Sequence, residues 1–317
     1  MLSRVADALL WMSRYLERAE QVARWLDVTF HLDLDLHGVM SEPSELGWSA
    51  LLTTLQLPPL PPVNGSVALV SRVSRWLTVD RDNPGSVMTC INRSRNNARS
   101  IRGSISPGMW RELNKLYWHL SDAELHEHVG ESPHDFCEAV QVGAQLFHGI
   151  CDATLTHDVG WHFIQLGKYL ERAEKTLRLL DSKYQMLALA DPANRPLASV
   201  QWGAVLKSCQ AFEAYQRLYI SRVEPEHVSE FLLLNPEFPH SVRFCIAAVT
   251  SSLEAISAPN IERTRDAALR TSSRLLSDLA YREMGEIMNR GLHEFLRECL
   301  DQCHRVSHTI LEQYALH

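Results

Sequence analysis

The sequence lacks the long apolar runs, glycine signatures and nucleophile motifs that identify several common classes of protein. No stretch reaches the roughly 18 consecutive apolar residues of a membrane helix, so we expect no membrane span. No loop has the glycine spacing of a Walker or Rossmann phosphate site. A Gly-x-Ser-x-Gly elbow is also missing. These absences argue against a membrane protein, a common nucleotide-binding domain and a serine hydrolase of that type.

Cysteine and basic charge are both limited. The seven cysteines are an odd, scattered set, which predicts reduced thiols in the core rather than disulfides. A net charge of −7 argues against a general nucleic-acid binder. Charges at Arg4 and Asp7 interrupt the apolar run that a signal peptide needs. We therefore expect a cytoplasmic protein without nucleic-acid or membrane partners.

The long segments carry apolar residues at the helical period, without the alternation and β-branched enrichment of strands. The sequence therefore predicts an all-α fold. Cap residues followed by proline predict three helix starts. These pairs are Asn83-Pro84, Ser106-Pro107 and Ser132-Pro133, for helices near 84–103, 107–121 and 133–154. Four further polar residues are predicted to organise helix starts after short loops, namely Asp80, Ser86, Asn235 and Ser241.

A seven-residue segment occurs twice, from Arg14 to Glu20 and again from Lys168 to Glu174. The offset is 154 at the tyrosines (169 − 15) and 155 at a later serine pair (241 − 86). Because solenoid repeats recur every 20 to 50 residues or so, this longer period indicates a duplicated domain. We expect a helical bundle of two duplicated halves, about 1–154 and 155–317, related by a pseudo-two-fold axis within one domain of residues 1–317.

The charged residues of the repeated segment form the first candidate site. They are Arg14, Glu17, Arg18 and Glu20 in the first copy and Lys168, Glu171, Arg172 and Glu174 in the second. One interpretation is a set of solvent-facing pairs, each contributing a few tenths of a kcal/mol. A second is a buried network that fixes the interface between the halves. A third is a site in which the arginines hold a ligand's carboxylate or phosphate.

A second candidate site occurs only in the first half. Arg95, Asn97, Arg99 and Arg102 are expected on one capped helix, with the three arginines spaced to share a face. At the same offset the second half has Thr250, Ser252 and Glu254 in place of Arg95, Asn97 and Arg99. The pattern fits either a solvated basic face or a surface for an anion or a partner, because guanidinium groups recognise carboxylate and phosphate through paired donors.

The sequence gives no warrant for a metal or a cofactor. Helical spacing brings Cys299 towards Cys303 and His304 towards His308, but the two pairs point about 100° apart. A single tetrahedral site would strain to use all four. We expect three nearby histidines to lie on a loop surface and not to act as ligands, namely His126, His128 and His134.

Several motifs in combination resemble the bacterial alpha-E domain family over essentially the whole chain. They are Met1-Leu2-Ser3-Arg4, the Tyr-Leu-Glu-Arg-Ala-Glu block from Tyr15, Asn83-Pro84-x-Ser86, Arg95-x-Asn97-Ala98-Arg99-x-x-Arg102, and the stretch from Trp161 to Ala173. The family's Glu-Arg motif corresponds here to Glu17-Arg18 and Glu171-Arg172. The chain departs from the family's usual pattern at Ala8, Leu10 and Asn96.

This resemblance implies a helical subunit that works with a circularly permuted ATP-grasp ligase in forming amide bonds. We expect a non-catalytic binding or scaffold subunit, with an anionic amino acid or peptide as a possible ligand. The alternative is an enzyme acting on an amide or peptide bond between the halves. In that case Glu17 or Glu171 would be the general base, and Arg18 or Arg172 would stabilise an oxyanion.

Overall fold

The computed structural model describes residues 1–37, 45–57, 60–61, 67–188, 195–220, 223–257 and 266–316. These ranges contain α-helices, one 3-10 helix at Arg102–Ser104 and no β-strand, which confirms the all-α prediction. None of the described helices combines the length and apolar character needed to span a bilayer. The α-helices are α1 (Ser3–His37), α2 (Glu45–Leu55), α3 (Leu69–Thr78), α4 (Val87–Ser100), α5 (Pro107–Leu120), α6 (Ala123–His128), α7 (His134–Thr154), α8 (Val159–Ala188), α9 (Arg195–Ser208), α10 (Phe212–Leu218), α11 (Pro225–Leu234), α12 (Val242–Ser257), α13 (Ala267–Ala280), α14 (Met284–Arg290) and α15 (Leu292–Gln313).

The chain divides into two compact units. The N-terminal unit comprises Trp11–His157, and the C-terminal unit comprises Met1–Leu10 together with Asp158–His317. The break between them after residue 157 falls within three residues of the predicted boundary between the repeats. Each unit has its own core of buried apolar side chains.

In the N-terminal unit, α5 packs between α4 and α7, and α3 packs on α2 and α4. The α5–α7 contact is close at Gly143, where a Cβ atom would lie 2.7 Å from Leu116 Cδ1. Helix α4 is tied to α1 by Ser94, whose hydroxyl donates to the Met12 carbonyl at 2.8 Å. Ser94, 82 residues further along the chain than Met12, therefore holds α4 against α1.

In the C-terminal unit, α8 is the central helix and packs on α12 and α15. Helix α13 packs on both α12 and α15, while α9 and α11 also contact α8. Gly291, with φ of +114°, separates α14 from α15 in a backbone conformation that favours glycine. The long helix that carries the second Glu-Arg motif is thus surrounded by helices from later in the chain.

Two serines at equivalent repeat positions cap α4 and α12. Ser86 Oγ accepts a hydrogen bond from the Thr89 amide at 3.3 Å, and Ser241 Oγ accepts one from the Phe244 amide at 3.1 Å. Each bond satisfies an amide that has no partner within its own helix. The predicted role of both serines is confirmed.

The turns before these helices are organised by Asp80 and Asn235. Asp80 Oδ1 accepts from the Asp82 amide at 2.9 Å, and Asn235 Oδ1 accepts from the Glu237 amide at 2.8 Å. The predicted contribution of all four residues to the helix starts is therefore confirmed, and the two units repeat the same local hydrogen bonds.

Two of the three predicted cap–proline pairs are wrong. Ser106 does cap α5, accepting from the Met109 amide at 3.2 Å. Asn83 Oδ1 accepts from the Gly85 amide at 2.9 Å and its Nδ2 donates to the Trp76 carbonyl at 2.8 Å, but α4 begins only after Ser86. Ser132 is not the cap of α7, which begins after Pro133 without a side-chain cap. In the first case the Asn83 side chain holds the turn before α4, and Ser86 caps the helix.

All seven cysteines are buried and unbridged, as the sequence predicted. Their small, weakly polar side chains behave here as core residues.

Candidate functional site

The repeated charged residues on α1 are buried in the N-terminal unit. Arg14, Glu17 and Glu20 are at most 5% exposed, whereas Arg18 is half-buried. The interpretation as solvent-facing pairs is therefore wrong for Arg14 and Glu17. The reason is that α7 packs against α1 at Glu17, where His148 approaches the carboxylate.

Neighbours one helical turn along α1 hold these carboxylates. Gln21 Nε2 donates to Glu17 Oε1 at 2.7 Å, and Arg24 forms a buried ion pair with Glu20. From α7, His148 Nε2 lies 3.8 Å from Glu17 Oε2. A carboxylate buried in this way is costly to leave without compensation, so these contacts form a network rather than a set of independent surface pairs.

The second copy of the motif, on α8, is also buried. Glu171, Arg172 and Glu174 are at most 8% exposed, and Lys168 is half-buried. Arg172 donates to the Pro239 carbonyl at 3.3 Å. This bond ties the Glu-Arg motif to the turn that precedes α12.

The tyrosine–arginine pair of the repeat has the same geometry in both units. The guanidinium carbon of Arg18 lies 5.6 Å from the Tyr15 ring centroid, and Arg172 lies 5.6 Å from the Tyr169 ring centroid. Lys168 Nζ also approaches the Tyr169 ring, at 5.2 Å. Distances below about 6 Å allow a cation–π attraction.

The basic candidate site in the N-terminal unit is an arginine held among aromatic rings. The Arg95 guanidinium carbon lies 4.5 Å from the Tyr117 ring centroid, 5.6 Å from Trp118 and 5.8 Å from Trp110. Arg95 Nε donates to Asn114 Oδ1 at 2.6 Å. The four partners occur at helical spacing on α5, and this spacing is the sequence signal that could have identified them.

The other residues of this set are arranged differently from the prediction. Helix α4 ends at Ser100, so Arg102 lies in the following 3-10 helix and not on the same helix as Arg95. Arg102 nevertheless reaches the other side of the set, 4.9 Å from the Trp110 ring centroid. Asn97 is half-buried and Arg99 is exposed. We call Arg95, Arg102, Trp110, Tyr117 and Trp118 the arginine–aromatic surface.

A cluster near the end of α1 has the composition of a metal site. Asp27 Oδ1 lies 2.9 Å from His134 Nδ1 and 3.4 Å from His31 Nε2. The two imidazole nitrogens are 3.3 Å apart. The hydrogen bond that His134 donates to the Asp27 carboxylate raises the pKa of His134 above its usual value of 6.5. His134 is the first residue of α7, so its predicted position on a loop surface is wrong.

The C-terminal unit has a related cluster without the second histidine. Asp181 and Gln185 stand 154 positions after Asp27 and His31 (181 − 27, 185 − 31). His293 Nδ1 contacts Asp181 Oδ1, and Gln185 Nε2 lies 3.0 Å from the same imidazole nitrogen. Helices α8 and α15 thus repeat the aspartate–histidine contact of α1 and α7, with glutamine at the third position.

The cysteine pair and the histidine pair of α15 do not converge on one site. Cys299 and Cys303 are buried, whereas His304 lies 3.2 Å from Arg178 and His308 lies 3.3 Å from Glu312 Oε2 at the surface.

A buried group within the α1 network also brings three possible metal ligands together. Its ligand atoms, from Glu17, Glu20 and His148, lie within 4.8 Å of one another. Arg24 already neutralises Glu20 there, which favours an ionic network over a metal site at this position.

His126 and His128 were expected on a loop surface, but they lie on α6. Their rings contact the backbone carbonyls of Leu120 at 2.6 Å and Glu124 at 2.9 Å, respectively. The structure therefore assigns both histidines a local role in the fold.

Comparison with known proteins supports the family resemblance. A family model described as a predicted alpha-helical domain with a conserved ER motif matches residues 1–315. Similar proteins include uncharacterized proteins of Mycobacterium bovis and Mycobacterium tuberculosis, each 24% identical over 323 residues, which cover 95% of this chain and 35% of the relative. The chain thus spans about a third of the length of these curated relatives. No solved structure matches the chain. Because the family match extends over nearly all of its residues, the chain belongs to the Alpha-E family.

Proposed function

We propose that the chain is a non-catalytic binding or scaffold subunit of an amide-bond-forming system, in which a circularly permuted ATP-grasp ligase is the partner. The family resemblance suggests the partner, and the greater length of the mycobacterial relatives is consistent with a domain that works beside others. The proposal assigns ligand or partner binding to the arginine–aromatic surface and a structural role to the Glu-Arg motifs.

The arginine–aromatic surface is the observation that carries this proposal. Three rings hold the Arg95 guanidinium group in place, while Trp118 remains 64% exposed. Tryptophan, tyrosine and arginine are the residues most enriched among interface hot spots. A pre-positioned guanidinium group also loses less conformational entropy when it binds a carboxylate. This surface is therefore suited to an anionic segment of a partner or peptide.

The Glu-Arg motifs support a structural role because of their burial. Glu17 and Glu171 are at most 1% exposed, and a general base must exchange its proton with the substrate or with water. Gln21 and the ion pair of Arg24 with Glu20 surround the first copy. This arrangement favours the scaffold interpretation over the alternative of an amide-bond enzyme.

The proposal includes an internal duplication. The matching caps of α4 and α12 and the matching tyrosine–arginine geometry support descent from one helical unit. The pseudo-two-fold relation between the halves stays a prediction.

The test measures binding to the ATP-grasp ligase of the same organism by isothermal titration calorimetry. We expect Arg95→Gln and Trp118→Ala each to weaken binding by roughly 10-fold or more, since hot-spot truncations cost 2 kcal/mol or more. The matched control is Arg81→Gln, which removes an equal charge from an exposed position of the same unit.

The result that contradicts the proposal is the absence of a complex, or unchanged affinity of both variants with circular dichroism like that of the parent. Equal weakening by Arg81→Gln would indicate a general charge effect and would also reject the assignment to this surface.

A further inference from the structure

We propose that Asp27, His31 and His134 bind a divalent transition-metal ion of the zinc class, with coordination positions left open to solvent. This inference concerns a different part of the N-terminal unit from the arginine–aromatic surface and does not depend on the proposed function.

The distances among the three donor atoms are those expected around one small metal ion. Bonds of about 2.0–2.2 Å to nitrogen and oxygen ligands place neighbouring donors roughly 2.9–3.4 Å apart. The separations are 2.9 Å between His134 Nδ1 and Asp27 Oδ1, 3.4 Å between His31 Nε2 and Asp27 Oδ1, and 3.3 Å between the imidazole nitrogens. Three donors at mutual contact form one face of a coordination polyhedron.

Two elements of the fold position these donors. Asp27 and His31 are four residues apart on α1, so their side chains leave the same face of the helix. His134 is the first residue of α7, and the acidic side chains of Asp135 and Glu138 follow it on the same helix. This negative surrounding favours a cation.

The donor set indicates the class of ion. Two imidazoles and one carboxylate suit zinc and neighbouring first-row divalent ions, whereas magnesium and calcium prefer oxygen ligands. Cys137 lies one turn further along α7, but its side chain is fully buried, and it does not belong to the group of ligand atoms that Asp27, His31 and His134 bring within 4.8 Å of one another.

The exposure of the site indicates open coordination positions. The side chains of His31 and His134 are 52% and 43% exposed, while that of Asp27 is 16% exposed. Structural zinc sites are closed by four protein ligands, whereas three protein ligands leave a position for water or for a group of another molecule. The geometry therefore describes a site of the open kind.

The corresponding cluster of the C-terminal unit indicates which of these side chains the helix packing itself requires. There His293 contacts Asp181 as His134 contacts Asp27, and Gln185 occupies the position of His31. The aspartate–histidine contact is thus common to both helix pairs, while the second histidine is an addition. A glutamine at this position is compatible with the fold, so His31→Gln should remain folded.

The test is a titration of the full chain, stripped with a chelator, with Zn²⁺ and with Co²⁺. We expect one equivalent of either ion to bind, and His31→Gln, His134→Gln and Asp27→Asn each to weaken binding at least about 100-fold, because even outer partners of a metal ligand account for 10- to 100-fold in affinity. The matched control is His308→Gln, at an exposed histidine of α15 outside this cluster. It should bind as the parent does.

The Co²⁺ spectrum distinguishes this site from adventitious binding by cysteines. Nitrogen and oxygen ligands produce visible d–d bands without a near-ultraviolet thiolate charge-transfer band. Absence of stoichiometric binding overturns the proposal, as does a thiolate band or equal affinity of parent and His31→Gln. Thermal unfolding of each variant with chelator present separates lost ligation from lost folding.

Discussion

Two clusters at matching positions of the two units differ in one ligand-forming side chain. In the N-terminal unit Asp27 faces two imidazoles, whereas in the C-terminal unit Asp181 faces one imidazole and the amide of Gln185. Each unit has an aspartate–histidine contact between two long helices, α1 with α7 and α8 with α15. The packing of the helices therefore explains one histidine in each unit and leaves His31 unexplained, which is why we assign it to ligand binding.

A second pair of positions shows how the same repeat can place charge in different surroundings. Arg24 is buried and paired with Glu20. Its counterpart Arg178 is half-buried and contacts His304 on α15. The repeated pattern thus has an arginine at both positions, while the helices that pack around each arginine determine its exposure to solvent.

The largest expected effect is a difference in stability between variants of these two arginines. Arg24→Met should lower the free energy of unfolding by about 3–5 kcal/mol, because removing one partner of a buried ion pair leaves the other charge uncompensated. Arg178→Met should cost about 1 kcal/mol or less, since its group retains access to solvent. Urea denaturation of the two variants measures the difference, and equal losses would contradict the contrast drawn between the units.

The metal proposal can be tested further by giving the C-terminal cluster the same three residue types as the N-terminal cluster. Gln185→His should raise the Zn²⁺ stoichiometry from one equivalent to two, because the new imidazole would join Asp181 and His293. Combined with His31→Gln, it should return one equivalent, now bound in the C-terminal unit. Titration calorimetry counts the sites. A stoichiometry unaffected by Gln185→His would show that the donor set alone does not create a site.

The caps provide a comparison in which the units should behave alike. Ser86→Ala and Ser241→Ala should each lower the free energy of unfolding by about 1 kcal/mol, because each leaves an amide at a helix start without its acceptor. The two losses should be similar, since each hydroxyl also donates a hydrogen bond, from Ser86 to Thr89 Oγ1 and from Ser241 to the Asn235 carbonyl. Ser100→Ala, at an exposed helix end, is the control. Thermal unfolding of the three variants measures these losses. A loss of stability at only one of the two caps would contradict the prediction.

The smallest effect is the pH dependence of the Asp27–His134 contact in the metal-free protein. Because folding raises the pKa of His134 above 6.5, the contact stabilises the fold at lower pH and this contribution is lost as pH rises through the folded-state pKa. The partial exposure of both side chains limits the effect to less than about 1 kcal/mol. Comparing the Tm of the parent and of Asp27→Asn at about pH 6 and about pH 8.5 measures it.

Added Zn²⁺ should reverse this trend, because the metal binds the deprotonated imidazoles. The stabilisation of the parent over Asp27→Asn would then be greater at the higher pH. The same sign of pH dependence with and without Zn²⁺ would contradict the assignment of these groups as ligands.

Part of the fold, but not the candidate sites, followed from local rules. Ser86 and Ser241 were predicted as caps because an N-cap depends on only a few neighbouring residues. The sequence analysis missed the aromatic partners of Arg95, although they occur at helical spacing on α5. The sequence of neither helix specifies that α4 packs against α5. His134 was misplaced for the same reason, since its partner Asp27 is 107 residues away.

The sequence by itself determined the helical class, the duplicated motif and the caps, because helical periodicity and hydrogen bonding at helix ends act over a few residues. The tertiary structure decided which charges are buried and which side chains meet. Burial of Glu17 requires α7 as well as α1, and the Asp27–His31–His134 cluster requires α7 to begin beside the end of α1. Such contacts arise from packing between distant segments, and a one-dimensional pattern does not specify which helices will meet.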